Sequence, residues 1–581
     1  MISELCHPRA ENQRKVKQMA KLPSKNIFAS ETADSFGGLD RIDSIGSISK
    51  ATEMANMRVL PDGSLTRREG STVFVNFPSP VRCAAVCPTD PNYLFVMAGD
   101  RLYSVNLTTN RALELSRGFN TYAPSFFFRI QDSVYLFSEG WYALIPDNMV
   151  SSYSYVPLVG HNWGADGGPV YEHQNMLSLN IRIDYLLDRD TNTLFTGYDL
   201  SSIDAVYVNG KAVTGSHIEQ KRVCLPAVFP AGTRVLLCLS LSLAQIQDAL
   251  SLLSCTASYS CGKGQDSIAI GYGGEEPDRL FIVSHKDEDK VAEAQVYYPN
   301  SGNIYCSAAP TYVKELTGGV RAVCGEPDCL LVAGQHEIRR LTPEGESSIL
   351  DMEGCDSSVN MAYFDDTAYV ATPKGIWQLP LRSGRGKLIS AALGDRMDQS
   401  ISEKAMLYYN TFRGELWVKD TTSYSGTVYV YDPAREVWVC FESINADGFF
   451  DYYPGRTVGY YHQLQLVKFV DGQNYDVTGN GNRSPIFAYY LSRWTDLGKP
   501  YDTKRLRRIS MNHTGYGNVT VLIMDGNEFT CPTVFEANSS IMPTFNEKSV
   551  RSSRTKQFCL AMYSEEQSPF NIHEITLSAI K

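Results

Sequence analysis

Along most of the chain, apolar and polar positions alternate over short runs that end at Gly, Asn or Asp. That is the period of half-buried β-strands, not of helices. Between residues 72 and 147 the pattern predicts strands at 93–97, 102–106, 126–130, 134–137 and 141–145. Ala98-Gly99-Asp100, Gln131-Asp132 and Ser138-Glu139-Gly140 separate them as hairpin turns. The rhythm resumes at 279–283, 329–334, 338–341, 367–371, 376–379 and 415–419. Its clearest hairpin joins 427–431 to 437–441 through Asp432-Pro433-Ala434-Arg435-Glu436, with Trp438 on the returning strand. Successive units lie roughly 40 to 50 residues apart, the spacing of propeller repeats. The expectation is an all-β chain built on a β-propeller of about six or seven blades.

Two stretches break this rhythm. Over 150–255, a Gly-rich lead-in at 160–168 precedes strands at 177–187, 203–208, 222–225 and 233–239, with Asn209-Gly210 as a two-residue hairpin turn. This predicts a β-sandwich inserted into the propeller. Leu243, Ile246, Leu250 and Leu253 recur at helical spacing and predict a trailing helix with a core-facing stripe. Beyond 490, strands at 509–513, 519–524, 528–531, 557–563 and 572–580 predict a C-terminal β-sandwich. The expected division is an extended N-terminal arm (1–71), propeller (72–149 and 256–490), inserted sandwich (150–255) and C-terminal β-domain (491–581).

Residues 35–75 have almost no apolar periodicity before their end, yet carry spaced anchors: Phe36, Leu39, Met57, Leu60 and Leu65. Pro61-Asp62-Gly63 is a tight-turn tripeptide, and Arg67 and Arg68 follow. An extended arm leaves such anchors unsatisfied until another surface buries them, so the reading is an inter-subunit arm through these seven residues. The alternative is a tail that wraps its own domain. The runs F-G-G-L-D (36–40), N-M-R (56–58) and D-G-S-L-T-R-R-E-G (62–70) resemble the amino-terminal signature of tailed-bacteriophage head-to-tail connector proteins. They are similar to nozzle proteins (tail tubular protein B) and packaged-DNA stabilisation proteins, over about a tenth of the chain. The resemblance implies a propeller architecture and a structural virion protein. Six copies would form a ring below the portal that retains packaged DNA and conducts it during ejection. Its implied partners are further copies of itself, a portal or adaptor protein, other tail proteins, and double-stranded DNA passing without sequence specificity. The implied location is the phage tail or neck, after assembly in the host cytoplasm.

Charge fits this reading without requiring it. Fifty-three Lys and Arg against 64 Asp and Glu give a net charge of −11, which argues against a protein whose task is gripping phosphates. An acidic wall lets DNA slide, and it also simply keeps a protein soluble. The basic cluster Lys504, Arg505, Arg507 and Arg508 is a candidate DNA or subunit contact, or else a guarded strand edge. Residues 1–34 carry a second excess of Lys and Arg.

Candidate chemistry is sparse. The sequence has no G-x-S-x-G, H-E-x-x-H or P-loop motif. The 14 Cys include no C-x-x-C pair, so paired zinc-ligand spacing is missing. Cys261-Gly262-Lys263-Gly264 is too short for a phosphate cradle. Glu275-Glu276, Asp287-Glu288-Asp289 and Asp365-Asp366 lack EF-hand spacing. No catalytic, cofactor or metal residue is expected, nor an enzyme. No apolar run is long enough to span a bilayer, and residues 1–25 lack the apolar core of a secretory signal. A second reading is a host-surface-binding propeller at the tail tip, with Trp141, Trp163, Trp377, Trp417 and Trp494 available to stack on sugars.

Overall fold

In a computed structural model, residues 27–581 are described apart from 122–124, 131–132, 139–140, 152–155, 173–179, 243–267, 273–278, 285–292, 298–312, 316–319, 327–328, 335, 342–346, 351–352, 382–383, 425, 527–528, 531, 537–538 and 566. The chain is nearly all-β. The predicted trailing helix at 243–253 lies outside the described residues.

Among the described residues, six four-stranded antiparallel sheets are built from strands consecutive in sequence. The first runs Val81–Val86, Tyr93–Ala98, Arg101–Asn106 and Arg111–Arg117. The others span 125–151, 268–315, 320–350, 361–388 and 406–441. A further run, Gly448–Tyr452, Thr457–His462 and Gln465–Val470, gains its fourth strand from far upstream.

The strand Tyr93–Ala98 shows why these sheets belong together. Leu94, Val96 and Ala98 pack with Val75, Phe450 and Leu466 of that last sheet. Phe95 and Met97, on the opposite face, pack with Phe127, Val134 and Leu136 of the second sheet. A strand covered on both faces needs apolar residues at every position, which explains the continuous run L-F-V-M-A where alternation would leave one face wet. Leu331, Ala333 and Ile338 likewise share a cluster with Val370 and Leu379 of the following sheet.

Residues 158–241 form a separate two-sheet unit. One sheet contains Leu158–Trp163, Asn180–Leu186, Arg234–Leu241, Leu200–Val208 and Lys211–Ala212; the other contains Thr191–Phe195, Arg222–Phe229 and His217–Glu219. Ile181, Ile183, Val223, Leu237 and Leu239 fill the space between them.

The third region corrects the expected division. The C-terminal strands form two sheets, but neither is complete without the N-terminal segment. β1 (Ala29–Ala33) pairs along Phe570–Ile580, from Ala29 opposite Ala579 to Ala33 opposite Ile575. β2 (Ala51–Ala55) pairs with Ala488–Thr495 in the other sheet. β3 (Met57–Val59) and β4 (Leu65–Arg67) form a hairpin whose second strand also lies on Phe570–Ile580. β5 (Gly70–Asn76) then pairs with Gln465–Val470, supplying the missing fourth strand. Residues 29–76 are therefore no projecting arm. Strands β1, β2 and β5 pair with strands 389 or more positions away in the same chain.

Candidate functional site: the buried N-terminal segment

Five of the six residues of F-G-G-L-D-R make contacts that suit their identity. The Phe36 N–H donates to Gly63 O at 2.8 Å, and its ring meets Tyr490 edge-on, centroids 5.6 Å apart. Gly38 holds φ +67°, and a Cβ there would lie 2.3 Å from the Trp438 carbonyl oxygen. That close approach lets the Leu39 N–H donate to Trp438 O at 2.7 Å. The Asp40 carboxylate accepts from Lys50 Nζ at 2.7 Å and pairs with Arg493. Burial alone would raise its pKa, but these cations and the Ile42 N–H hold it below the ordinary carboxylate value. Arg41 pairs with Asp395 at 3.0 Å.

The expected anchors are satisfied by this polypeptide. Phe36, Leu39, Met57 and Leu65 are at most 4% exposed, all in one cluster with C-terminal residues such as Met511, Ile572 and Leu577. Leu60 is half-buried, and its carbonyl accepts from Arg435. The turn after it closes through Gly63 N–H to Leu60 O at 2.9 Å, with Asp62 accepting from the Ser64 N–H. For Phe36, Leu39, Met57 and Leu65 the covering surface expected of a second subunit is supplied by the chain itself. The C-terminal sheets present matching apolar surface within the same chain, and burying it intramolecularly incurs no cost of association.

The two arginines are buried as well. Arg67 donates to Ser564 Oγ at 2.7 Å and stacks over the Phe570 ring. Arg68, 1% exposed, donates to Asn56 Oδ1 at 2.8 Å and clamps both oxygens of Asp476 at 3.1 and 2.8 Å. Asp476 also accepts from the Ser71 N–H and hydroxyl. Burial works to raise its pKa, and the contacts from Arg68 and Ser71 together bring it below the ordinary value.

Beside this pair lies a five-charge chain. Arg58 bonds Glu415 and reaches Glu69 at 3.4 Å; Arg413 bonds Glu69 and Asp471, each at 2.7 Å. The Arg58 guanidinium also covers the Phe441 ring. Burial would push the Glu69 carboxyl up, yet its two arginines bring it down to about 2. The chain ties the β3–β5 segment to the sheet at 406–441 and to the turn after Val470, so its work is to fix the segment in place.

The basic cluster of 504–508 is split by its strand. Lys504 is fully buried, and its Nζ donates to three carbonyls, of Lys499, Asp502 and Lys556, at 2.8 to 3.0 Å. It cannot meet DNA. Burial pulls its pKa down. Arg508 is half-buried and pairs with Glu547 on the neighbouring strand at 3.2 Å. Arg505 is exposed and Arg507 half-exposed.

Trp163 and Trp417 are core residues at 5% and 2% exposure, so neither offers a face to a sugar. Trp377 and Trp494 are half-buried, and the Trp141 side chain lies outside the described residues. A cleft of about 380 Å³ opens beside β5, lined among others by Ser71, Tyr460, His462, Gln465 and Asp476. Its carboxylate is already engaged by Arg68. Burial raises the Tyr460 phenol to about 12, so it remains a neutral hydroxyl.

The exposed apolar side chains that remain include Met542 (73%) and Phe545 (64%) on Ser539–Ser549. That strand is the outer edge of the six-stranded sheet, pairing with Arg505–Gly515 on its inner side. Pro543 sits between them without an N–H, and Glu547 and Lys548 follow; all three discourage open-ended strand pairing.

No protein-family model and no curated protein matches this chain.

Proposed function

We propose that this chain is a structural virion protein of a tailed bacteriophage, a nozzle or tail hub in which six copies ring a channel below the portal. Its sheets would form a seven-bladed β-propeller. Six blades come from consecutive strands, and β5 completes the seventh.

The observation that carries the reading is the course of residues 29–76. They enter both sheets of the C-terminal unit and then lie beside Gln465–Val470 as the fourth strand of a six-stranded sheet, with Tyr475–Val477 on their other side. Joining the start of a chain to its end in this way holds a circular array of sheets shut without a covalent link. The first strand of the first sheet lies beside both Gly448–Tyr452 and Ser125–Ile130, as neighbours in such an array do. The runs that resemble the connector signature lie between these joining strands and form the hairpin Met57–Val59/Leu65–Arg67 on the C-terminal sheet. A scaffold closed this way resists being pulled open, which suits a wall that carries pressurised DNA. The role is mechanical and calls for no catalytic step. Its net negative charge lets duplex DNA pass without prolonged contact.

With the anchors buried, contacts between copies fall to other surfaces. The edge at 539–549 is the leading one: it shows two large apolar side chains flanked by charge, the composition of an interface patch. Mass measurement and electron microscopy of the full-length chain, alone and with its portal-side partners, test the proposal. Annular particles with a duplex-wide hole are expected. A chain that stays monomeric in both conditions, or that labelling places at the tail tip, would refute it.

A further inference from the structure

The hairpin His217–Glu219/Arg222–Phe229 in the inserted unit brings three metal-ligating side chains to one point. Strand register does this: His217 lies opposite Cys224, and Glu219 opposite Arg222, across the two-residue turn Gln220-Lys221. Gln220 adopts φ +55° there, which keeps the hairpin tight. Because side chains alternate, His217, Glu219 and Cys224 share one face. Ile218 and Val223 take the other, where Val223 is fully buried in the core between the sheets. One ligand atom from each of the three lies within 4.8 Å of the others.

We propose that His217, Glu219 and Cys224 form a zinc site on the outer face of the inserted unit. The chemistry of the donors selects the ion. An imidazole, a carboxylate and a thiolate are the nitrogen, oxygen and sulfur ligands that Zn²⁺ takes, whereas Ca²⁺ and Mg²⁺ take oxygen alone. The charges balance, since one thiolate and one carboxylate neutralise a dication. The nitrogen–oxygen distance is close to that required. His217 Nε2 and Glu219 Oε1 are 3.3 Å apart. Two ligands at about 2.0–2.1 Å from a tetrahedral ion stand roughly 3.3 Å apart, and a sulfur–nitrogen pair roughly 3.6 Å. The remaining closure falls on His217 and Glu219, whose side chains are 62% and 66% exposed and free to swing. Cys224 is the fixed member, 7% exposed at the base of the cluster. Burial and the nearby Glu219 carboxylate push its thiol pKa up, so metal binding would release the thiol proton to solvent as the sulfur–metal bond forms. Three protein ligands leave a fourth position open to water.

Titration of the reduced, metal-free, untagged full-length chain with Co²⁺ tests this. One equivalent is expected to raise a sulfur-to-cobalt charge-transfer band in the near ultraviolet, and Zn²⁺ to remove it. Cys224→Ser should abolish the band. His217→Ala and Glu219→Gln, both at exposed positions, should weaken Co²⁺ binding by roughly tenfold or more. No band in the wild-type chain, a band undiminished in Cys224→Ser, or unchanged affinity in His217→Ala would each overturn the assignment.

Discussion

Glu69→Gln removes one negative charge from the cluster that roots β5. In the folded chain Arg58 and Arg413 hold the Glu69 carboxyl at about 2, against 4.5 for an unhindered glutamate. A folded-state value below the unfolded one means stability that is fully present above about pH 4.5 and is lost as pH falls toward 2. The interval corresponds to about 3 kcal/mol at neutral pH, and by pH 3 less than half of it remains. A glutamine keeps the shape and part of the hydrogen bonding but carries no charge, so the variant should lose up to that amount at pH 7 and progressively less in acid. A chain with several units does not unfold in one step, so the measurement should be local: hydrogen exchange of peptides spanning Gly70–Asn76 and Gln465–Val470, from pH 3 to 7, after correction for intrinsic rates. The wild type should lose protection as pH drops, and the gap between the two proteins should shrink to less than half by pH 3. An equal gap at pH 3 and pH 7, or none at pH 7, would refute the claim that this charge fixes the segment.

Gly38→Ala places a Cβ 2.3 Å from the Trp438 carbonyl at φ +67°; a loss of about 3 kcal/mol or more is expected, read as faster exchange over both Phe36–Leu39 and Val437–Phe441. Lys504→Met leaves three carbonyls without their donor and should destabilise the C-terminal unit by about 3 kcal/mol, seen in urea denaturation. Arg505→Ala/Arg507→Ala should leave that stability within about 0.5 kcal/mol. Met542→Ser/Phe545→Ser should leave the melting temperature unchanged and lower the mass of any assembly; loss of the fold instead would show that these side chains serve their own sheet.

The short alternating runs with Gly, Asn and Asp at their ends determined that this chain is nearly all-β, because strand period and turn chemistry are local properties. Hairpin positions such as 93–106 and 427–441 were legible for the same reason. The destination of Phe36, Leu39, Met57 and Leu65 was not. An isolated apolar anchor says only that it must be buried, and the covering surface lies some 500 positions along the chain at Ile572 and Leu577. Nor could spacing show that Lys504 turns inward to three carbonyls while Arg505 faces water, since that depends on which side of its strand is covered. His217-x-Glu219 and Cys224, five positions on, carried no recognisable metal spacing, because hairpin register assembles that face. Sequence alone thus determined the strands and the need for burial. The tertiary structure decided which strands pair and what covers them, because those contacts join positions that are remote in sequence and adjacent only after the chain has folded.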